Sequence, residues 1–236
     1  MNQVVILAGG KATRLYPLTY EVPKSLLDIC GKPFIDWQLD LLSKSGITSI
    51  VLCLGNKGEL IEEHVGNGAK YGIDIAYSYD GQSLLGTGGA IINALALLED
   101  QFGILYGDSY LPLDYLDVMR FFEKSGKQAA MTIYKNLDNF DKSNVVYENQ
   151  VIKEYSKESH TTNMQHIDYG FSVTRKETFE GLPRSVSIDL ANIFENLVSE
   201  GEVAGYEVDQ RFYEVGSFEG ISTFKKYVED INDNIH

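Results

Sequence analysis

Three cations share one loop near the amino terminus: Lys11, Arg14 and Lys24, within VVILAGGKATRLYPLTYEVPKSLLDICGKPF (residues 4–34). No acidic residue stands between Gly9 and Thr19 to neutralise them. Cations gathered in this way need an anion or bulk water. Arg offers a planar fork that grips phosphate through two hydrogen bonds, and Lys a compact point charge. Gly9-Gly10 lets backbone amides come close to a ligand, and Pro23 fixes the chain just before Lys24. The chemistry that fits is the binding of a polyphosphate. The pattern is neither the G-x-G-x-x-G of dinucleotide folds nor the P-loop, so both of those readings fail. Taken alone, the loop is equally readable as a solvated surface.

Three further constellations bear on the choice. SLLGTGGAI (83–91) sets Gly86, Gly88 and Gly89 at the start of an apolar helix. Backbone donors exposed there would meet an anion at the positive helix end, unless the glycines serve only a tight turn. LYGDSY (105–110) carries Asp108 just past a buried strand, a place for a metal-bound carboxylate or for a turn acid. RFYEVGS (211–217) holds Glu214 between an aromatic residue and a glycine.

These residues need elements to position them. Apolar runs at 3–8, 49–55, 73–79 and 102–108 read as strands, alternating with helical patterns at 34–46, 58–68 and 88–100. Such alternation implies an α/β fold, a Rossmann-like doubly wound and mostly parallel sheet. Ligands of such sheets bind beyond the carboxyl ends of the strands, where Gly9-Gly10 and Gly107-Asp108 both fall. The second half is more β-rich, with strands at 128–135, 144–148, 150–155, 164–174 and 203–208, a helix over 187–201 and a closing helix. A turn is expected at Asn149. Residues 1–236 read as a single domain, with a nucleotide half over about 1–110 and a partner-substrate half over about 111–236.

The formal charge of −14 argues against nucleic-acid and membrane partners, since an acidic surface repels both. A local basic loop then suits a small anionic substrate. Cys30 and Cys53 form neither a metal spacing nor a disulfide scaffold. MNQVVILAGG reads as a strand and not a signal peptide, and no apolar stretch approaches a membrane span. A cytoplasmic protein is expected. Net charge leaves homo-oligomerisation open.

Taken in order, these motifs resemble those of the sugar-1-phosphate nucleotidyltransferases, or nucleotide-sugar pyrophosphorylases. The likeness runs from Val4 to about Phe224. Its most specific part is LAGGKATRLYPLTYEVPKSLLDICGKPF, close to the family's L-A-G-G-x-G-T-R-L-x-P-L-T…P-K…G-K-P. The resemblance implies the nucleotide-diphospho-sugar transferase fold and an enzyme joining an NTP to a sugar 1-phosphate, with Mg²⁺, to give NDP-sugar and pyrophosphate. It implies that Leu7, Ala8, Gly9, Gly10 and Thr13 wrap the triphosphate, that Arg14 holds the β- and γ-phosphates and that Lys24 neutralises the α-phosphate. Gln82, Gly86 and Thr87 would read the base and hold the nucleoside. Asp108, catalytic, and Glu214 would coordinate the metal. Lys157 in EYSKE would contact the sugar phosphate, and Asp168 and Gly170 in IDYGFSV would line the sugar pocket.

The nearest look is to short heptose- or hexose-1-phosphate guanylyltransferases. Relatives using UTP or CTP, including a cytidylyltransferase for a phosphorylated non-sugar, and a catalytically silent nucleotide-sugar sensor are the alternatives. No general base is expected, because the attacking phosphate oxygen is already anionic, and His64, His160, His166 and His236 lie outside every motif. Departures from the family pattern are Ala12 for its third glycine, Glu214 for Asp and Asp168 for Asn. EYSKE also lacks the glutamate before Lys157. A left-handed helix domain for acetyl transfer is not expected at this length.

Overall fold

The computed structural model describes residues 2–81, 84–184 and 186–233. Strand β1 (Gln3–Ala8) runs into the loop of cations, where Thr13–Leu15 and Lys24–Leu26 each form a 3-10 turn. A short hairpin, β2 (Asp28–Ile29) and β3 (Lys32–Pro33), leads into helix α1 (Phe34–Lys44). The expected alternation follows: β4 (Ser49–Leu54), α2 (Gly58–Val65), β5 (Asp74–Tyr79), α3 (Gly86–Ala94) and β6 (Gln101–Tyr106). The second half comprises β7 (Ser109–Tyr110), α4 (Tyr115–Ser125), β8 (Ala129–Lys135), β9 (Val145–Glu148), β10 (Val151–Tyr155) and β11 (His166–Arg175). It closes with α5 (Leu190–Ser199), β12 (Val203–Val208), β13 (Tyr213–Glu214) and α6 (Phe218–Asp233).

Nine strands form one sheet in the order β5-β4-β1-β6-β11-β8-β12-β10-β9. The four strands of the first half are mutually parallel, and the second half adds antiparallel pairs around the parallel pair β8–β12. Alternate residues of each buried strand face opposite layers. Val4, Ile6, Ile50 and Leu52 pack against α1, α2 and α4, whereas Val5, Val51, Cys53 and Ile104 pack against α3 and α5. Helix α3 therefore crosses back over the other face to bring β6 beside β1. The chain reverses direction across the sheet at β1–β6, which makes that pair the switch point.

Helix α4 was not anticipated, although its periodicity is plain once located. Tyr115, Val118, Met119 and Phe122 are buried at successive turns of one face. Asp114 caps its start by accepting from Asp117 N at 2.9 Å, and Gly126 ends it in the left-handed region at φ 68°. The turn expected at Asn149 has positive φ at both Asn149 (51°) and Gln150 (65°), as a two-residue hairpin requires.

A third apolar cluster lies beside the switch point. Phe224 and Val228 of α6 pack with Ile29, Phe34, Tyr110 and Val215. This cluster holds β13 against β7, pairing Glu214 with Ser109. Val215 N donates to Asp108 O at 2.9 Å. Apolar packing on one side thus brings two carboxylates together on the other.

Ala12 does adopt the conformation that a third glycine would favour, with φ 51° and ψ 40°. Thr19 Oγ1 donates to its carbonyl at 2.9 Å and helps to hold the loop there. A left-handed L-residue costs about 1–2 kcal/mol, and glycine gives back about 0.4–1 kcal/mol through the unfolded chain. Ala12→Gly is therefore expected to stabilise the protein by about 0.5–1 kcal/mol, raising Tm by roughly 1–4 °C in a thermal melt.

Candidate active site

Strands β1 and β6 run side by side, with Leu7 opposite Tyr106 and Gly107 N donating to Leu7 O at 3.0 Å. Ala8-Gly9 and Gly107-Asp108 consequently leave the sheet together. A crevice of about 230 Å³ opens there, lined by Leu7, Ala8, Gly9, Gly10, Gly86 and Thr87, with Lys24 and Asp108 at one end. Thr13 does not line it and is exposed on its 3-10 turn. Gln82 lies outside the described residues.

The glycine loop differs from expectation. Gly88 N and Gly89 N both donate to Ile188 O, at 2.9 and 3.2 Å, so these two amides are not free for an anion. A Cβ at position 86 would stand 2.6 Å from Ile188 O, and one at 89 would stand 2.8 Å from Val186 O. The glycines admit the 186–188 segment against the loop. The reason is close packing between two chain segments, which glycine content alone does not distinguish from ligand approach.

At the other end of the crevice, Lys24 Nζ pairs with Asp108 Oδ2 at 2.6 Å. Glu214 accepts from Ser217 Oγ at 2.5 Å and from Gly216 N. Gly216 is the meeting point of the site. A Cβ built there would lie 3.0 Å from Asp108 Oδ2, 3.0 Å from Glu214 Oε2 and 3.5 Å from Arg14 Nη2. Two carboxylates, one from the turn after β6 and one from β13, and one guanidinium thus face a single point. No group of three or more His, Cys, Asp or Glu side chains forms a metal cage among the described residues. Two carboxylates suffice for Mg²⁺, which keeps several waters and completes its shell with substrate phosphates.

Beyond Asp108 a larger cavity of about 700 Å³ begins, lined by Arg14, Tyr106, Asp108, Glu214, Lys157, Asp168 and Gly170. Tyr106 and Asp108 border both cavities. Gly170, at φ 105°, marks a register shift in β11 between Asp168 and Ser172, a bulge that only glycine tolerates at that angle. Asp168 Oδ1 accepts from Gly170 N at 3.0 Å, and Tyr155 OH donates to Oδ2 at 3.4 Å. Burial raises the Asp168 carboxyl to about 6, against the lowering effect of those hydrogen bonds and of Lys157. His160, outside every sequence motif, also lines this cavity, with Nδ1 2.9 Å from Ser143 O.

The raised carboxyl has a stability consequence. Its folded value lies above the unfolded one, so its contribution is fully present below about pH 4 and is lost as the pH rises through about 6. Two pH units correspond to about 2–3 kcal/mol. Asp168→Asn keeps the acceptor for Gly170 N and removes the buried charge. It is expected to raise Tm by several degrees at pH 8 and to leave it unchanged at pH 4, in melts run at both values.

Sequence reasoning missed two carboxylates. Asp80 follows β5 as Asp108 follows β6, so the rule that flagged one acid could have flagged the other. Its Oδ2 accepts from Leu85 N at 3.3 Å and stands 3.2 Å from a Cβ built on Gly9, at the wall of the smaller crevice. Burial raises its carboxyl, and no cation pairs with it among the described residues. Asp189 falls inside the helix expected over 187–201, but α5 begins at Leu190 and Asp189 caps it, its Oδ1 accepting from Ala191 N at 3.0 Å. It also accepts from Lys157 Nζ at 2.5 Å and from Thr87 Oγ1 at 3.0 Å.

Residues 3–142 match the family described as Nucleotidyl transferase. The chain belongs to that family. This nucleotidyltransferase is 30% identical over 217 residues to the N-acetylmuramate alpha-1-phosphate uridylyltransferase of Neisseria meningitidis serogroup B, covering 91% of this chain and 93% of that one. It is 28% identical over 221 residues to the mannose-1-phosphate guanyltransferase beta-A of Xenopus laevis, covering 91% of this chain and 61% of that protein. Among solved structures, HddC from Yersinia pseudotuberculosis matches with a TM-score of 0.78 at 25% identity, over 97% of this chain and all of that one, and has been solved with GMP-PN. A Bacillus anthracis chain solved with sucrose gives a TM-score of 0.86 at 19% identity, over 97% and 95%, which shows the shared fold. No helix of the described residues is long and apolar enough to cross a membrane.

Proposed function

We propose that this nucleotidyltransferase joins GTP to a heptose or hexose 1-phosphate, giving a GDP-sugar and pyrophosphate. The observation that carries the reaction is the convergence of Asp108, Glu214 and Arg14 on Gly216, with Lys24 on Asp108, at the junction of two cavities. One cavity is lined by glycines and apolar side chains, with Lys24, Asp80 and Asp108 on its wall, and suits a nucleotide. The other is polar and roomy enough for a sugar phosphate.

The roles follow from position. Leu7, Ala8, Gly9 and Gly10 bring backbone to the nucleotide. Thr13, exposed beside the crevice mouth, is offered with Arg14 for the outer phosphates, and Lys24 neutralises the α-phosphate. Gly86 and Thr87 border the nucleoside. Lys157 contacts the sugar phosphate, while Asp168 accepts from sugar hydroxyls and Gly170 shapes the strand beneath. Mg²⁺ bound by Asp108 and Glu214 would supply positive charge between the two reacting phosphates. The sugar phosphate oxygen needs no base, so catalysis rests on alignment and charge neutralisation by Arg14 and Lys24.

Asp80 supports the choice of base. An unpaired carboxylate accepts hydrogen bonds and donates none. On its pairing edge guanine presents two adjacent N–H donors, whereas uracil and thymine present one donor flanked by carbonyls that a carboxylate repels. A site built for two donors rejects a base lacking them by a large factor. Uridylyl transfer is the second reading, favoured by the Neisseria relative, which this chain matches over 93% of its length.

The test is pyrophosphate release with Mg²⁺ from GTP, UTP, CTP, dTTP and ATP, each against a panel of hexose and heptose 1-phosphates. GTP is expected to exceed UTP at least about tenfold, and Asp80→Asn to erode that ratio. Preference for UTP that survives Asp80→Asn would overturn the base assignment. Binding of NTP without release in any pair would overturn the reaction.

A further inference from the structure

Asp189, through its side chain, joins Thr87 of the glycine loop to Lys157 on the wall of the larger cavity. Its backbone is fixed first. Ile188 N donates to Leu85 O at 2.9 Å, while Gly88 N and Gly89 N return bonds to Ile188 O, so residues 85–89 and 188 are sewn together. Asp189 is therefore set against Thr87, whose hydroxyl donates to its Oδ1 and accepts from Leu190 N at 2.8 Å. Its second oxygen receives Lys157 Nζ. Lys157 is further located by its backbone, whose N–H donates to Glu195 Oε1 of α5 at 3.0 Å.

Capping explains only half of this arrangement. An N-cap needs one side-chain oxygen on the first-turn amides, and Oδ1 supplies it. The bond from Oδ2 to Lys157 does nothing for the helix. Lys157 is long and its side chain is 58% exposed, so without a partner its ammonium would sample many positions. Its pairing with Asp189 confines it to the wall of the sugar cavity. Hydrogen bonds from Lys157, Ala191 N and Thr87 hold the Asp189 carboxyl below the usual range, against the opposing effect of burial. A lysine ammonium has three donors, so one can stay on Asp189 while another meets a phosphate oxygen.

We propose that Asp189 is a positioning residue that tethers Lys157 to the nucleotide loop, so that the sugar phosphate is received in register with the nucleotide. The inference rests on the assignment of Lys157 to the sugar phosphate, and its first test does not. Asp189→Asn is the informative variant, because Asn caps a helix as well as Asp and keeps the acceptor for Thr87. It removes only the charge facing Lys157.

The first measurement is acetylation of lysines by an amine-reactive ester near pH 8, followed residue by residue by mass spectrometry in wild type and Asp189→Asn. Lys157 is expected to react several-fold faster in the variant, with other lysines and Tm unchanged. An unchanged Lys157 rate would overturn the tether whatever the enzyme's substrate. The second measurement is steady-state kinetics with the best NTP and sugar 1-phosphate pair. Asp189→Asn is expected to lower kcat/KM for the sugar 1-phosphate about tenfold while leaving KM for the NTP within twofold. In a Lys157→Ala background the same change should add nothing, since both act through one contact. Equal losses in both backgrounds would make Asp189 a structural cap and overturn the proposal. Faster acetylation with wild-type kinetics would overturn its role in the reaction. If no pair turns over in the wild type, the reaction assignment fails, and the acetylation result still decides the tether.

Discussion

Asp108→Asn is expected to lower turnover by at least about a thousandfold, because it removes the strongest charge at the junction of the two cavities. Asp108 is the carboxylate that Lys24 grips and that faces Glu214 across Gly216. On the proposed reading, Mg²⁺ affinity would fall to what Glu214 alone provides, and less positive charge would offset the repulsion between the two reacting phosphates. Stability should change little. The Lys24–Asp108 pair is partly exposed, with side chains 20% and 26% accessible, and Asn keeps an oxygen for Lys24. A shift in Tm of no more than about 4 °C is expected, which corresponds to roughly 1 kcal/mol. Pyrophosphate release and a thermal melt on the same preparation check both halves. A variant retaining a tenth of wild-type turnover would remove Asp108 from the chemistry.

Gly216→Ala makes a subtler change to the same point and is expected to cost about ten- to a hundredfold in kcat. The added methyl would sit 3.0 Å from both carboxylate oxygens and 3.5 Å from Arg14 Nη2. Contacts of that length force each neighbour outward by a few tenths of an ångström. Displacements of reacting groups on the scale of 1 Å cost about a hundredfold. The backbone at Gly216 is not in the left-handed region, so alanine brings no φ strain there. The loss should therefore appear in kcat and in the Mg²⁺ requirement, with Tm within a few degrees of wild type. Wild-type kcat in Gly216→Ala would show that the space above Gly216 is not used in the reaction.

The parts of the site legible in the sequence were those whose chemistry is local. Gly9-Gly10 after an apolar strand and Asp108 after a buried one announce the carboxyl end of a parallel sheet, and β1 beside β6 brings them together. Ala12 was legible as a departure, and the structure shows that it keeps the positive φ a glycine would favour. Glu214 stood out between an aromatic residue and a glycine, but only the family likeness gave it a partner in Asp108. Its place depends on α6 packing against the β2–β3 hairpin, a contact between residues nearly two hundred positions apart. Asp189 could not be read at all, because the helical pattern over 187–201 placed it inside a helix that begins only at Leu190. Its other partners lie 32 and 102 residues away in the chain. The glycine loop stayed open between two readings for a related reason: a glycine shows that something comes close, and composition does not say whether that is a phosphate or another segment of the chain.

On the proposed reaction, transfer is expected to happen in one step, directly between two phosphates held at Asp108. Among the described residues at the crevice, neither the cysteine nor the lysine is poised to carry the nucleotidyl group. Cys53 lines the wall, but burial and then Asp80 push its thiol up to about 12, which leaves it unreactive, and Lys24 is held in its ion pair. The measurement that tests this most directly is the stereochemical course at the α-phosphorus, using one diastereomer of the α-thio triphosphate and determining the configuration of the NDP-sugar by phosphorus NMR. Inversion is the predicted result. Retention would mean two displacements through a nucleotidyl-enzyme, and would contradict the account of a site that works by alignment and charge alone.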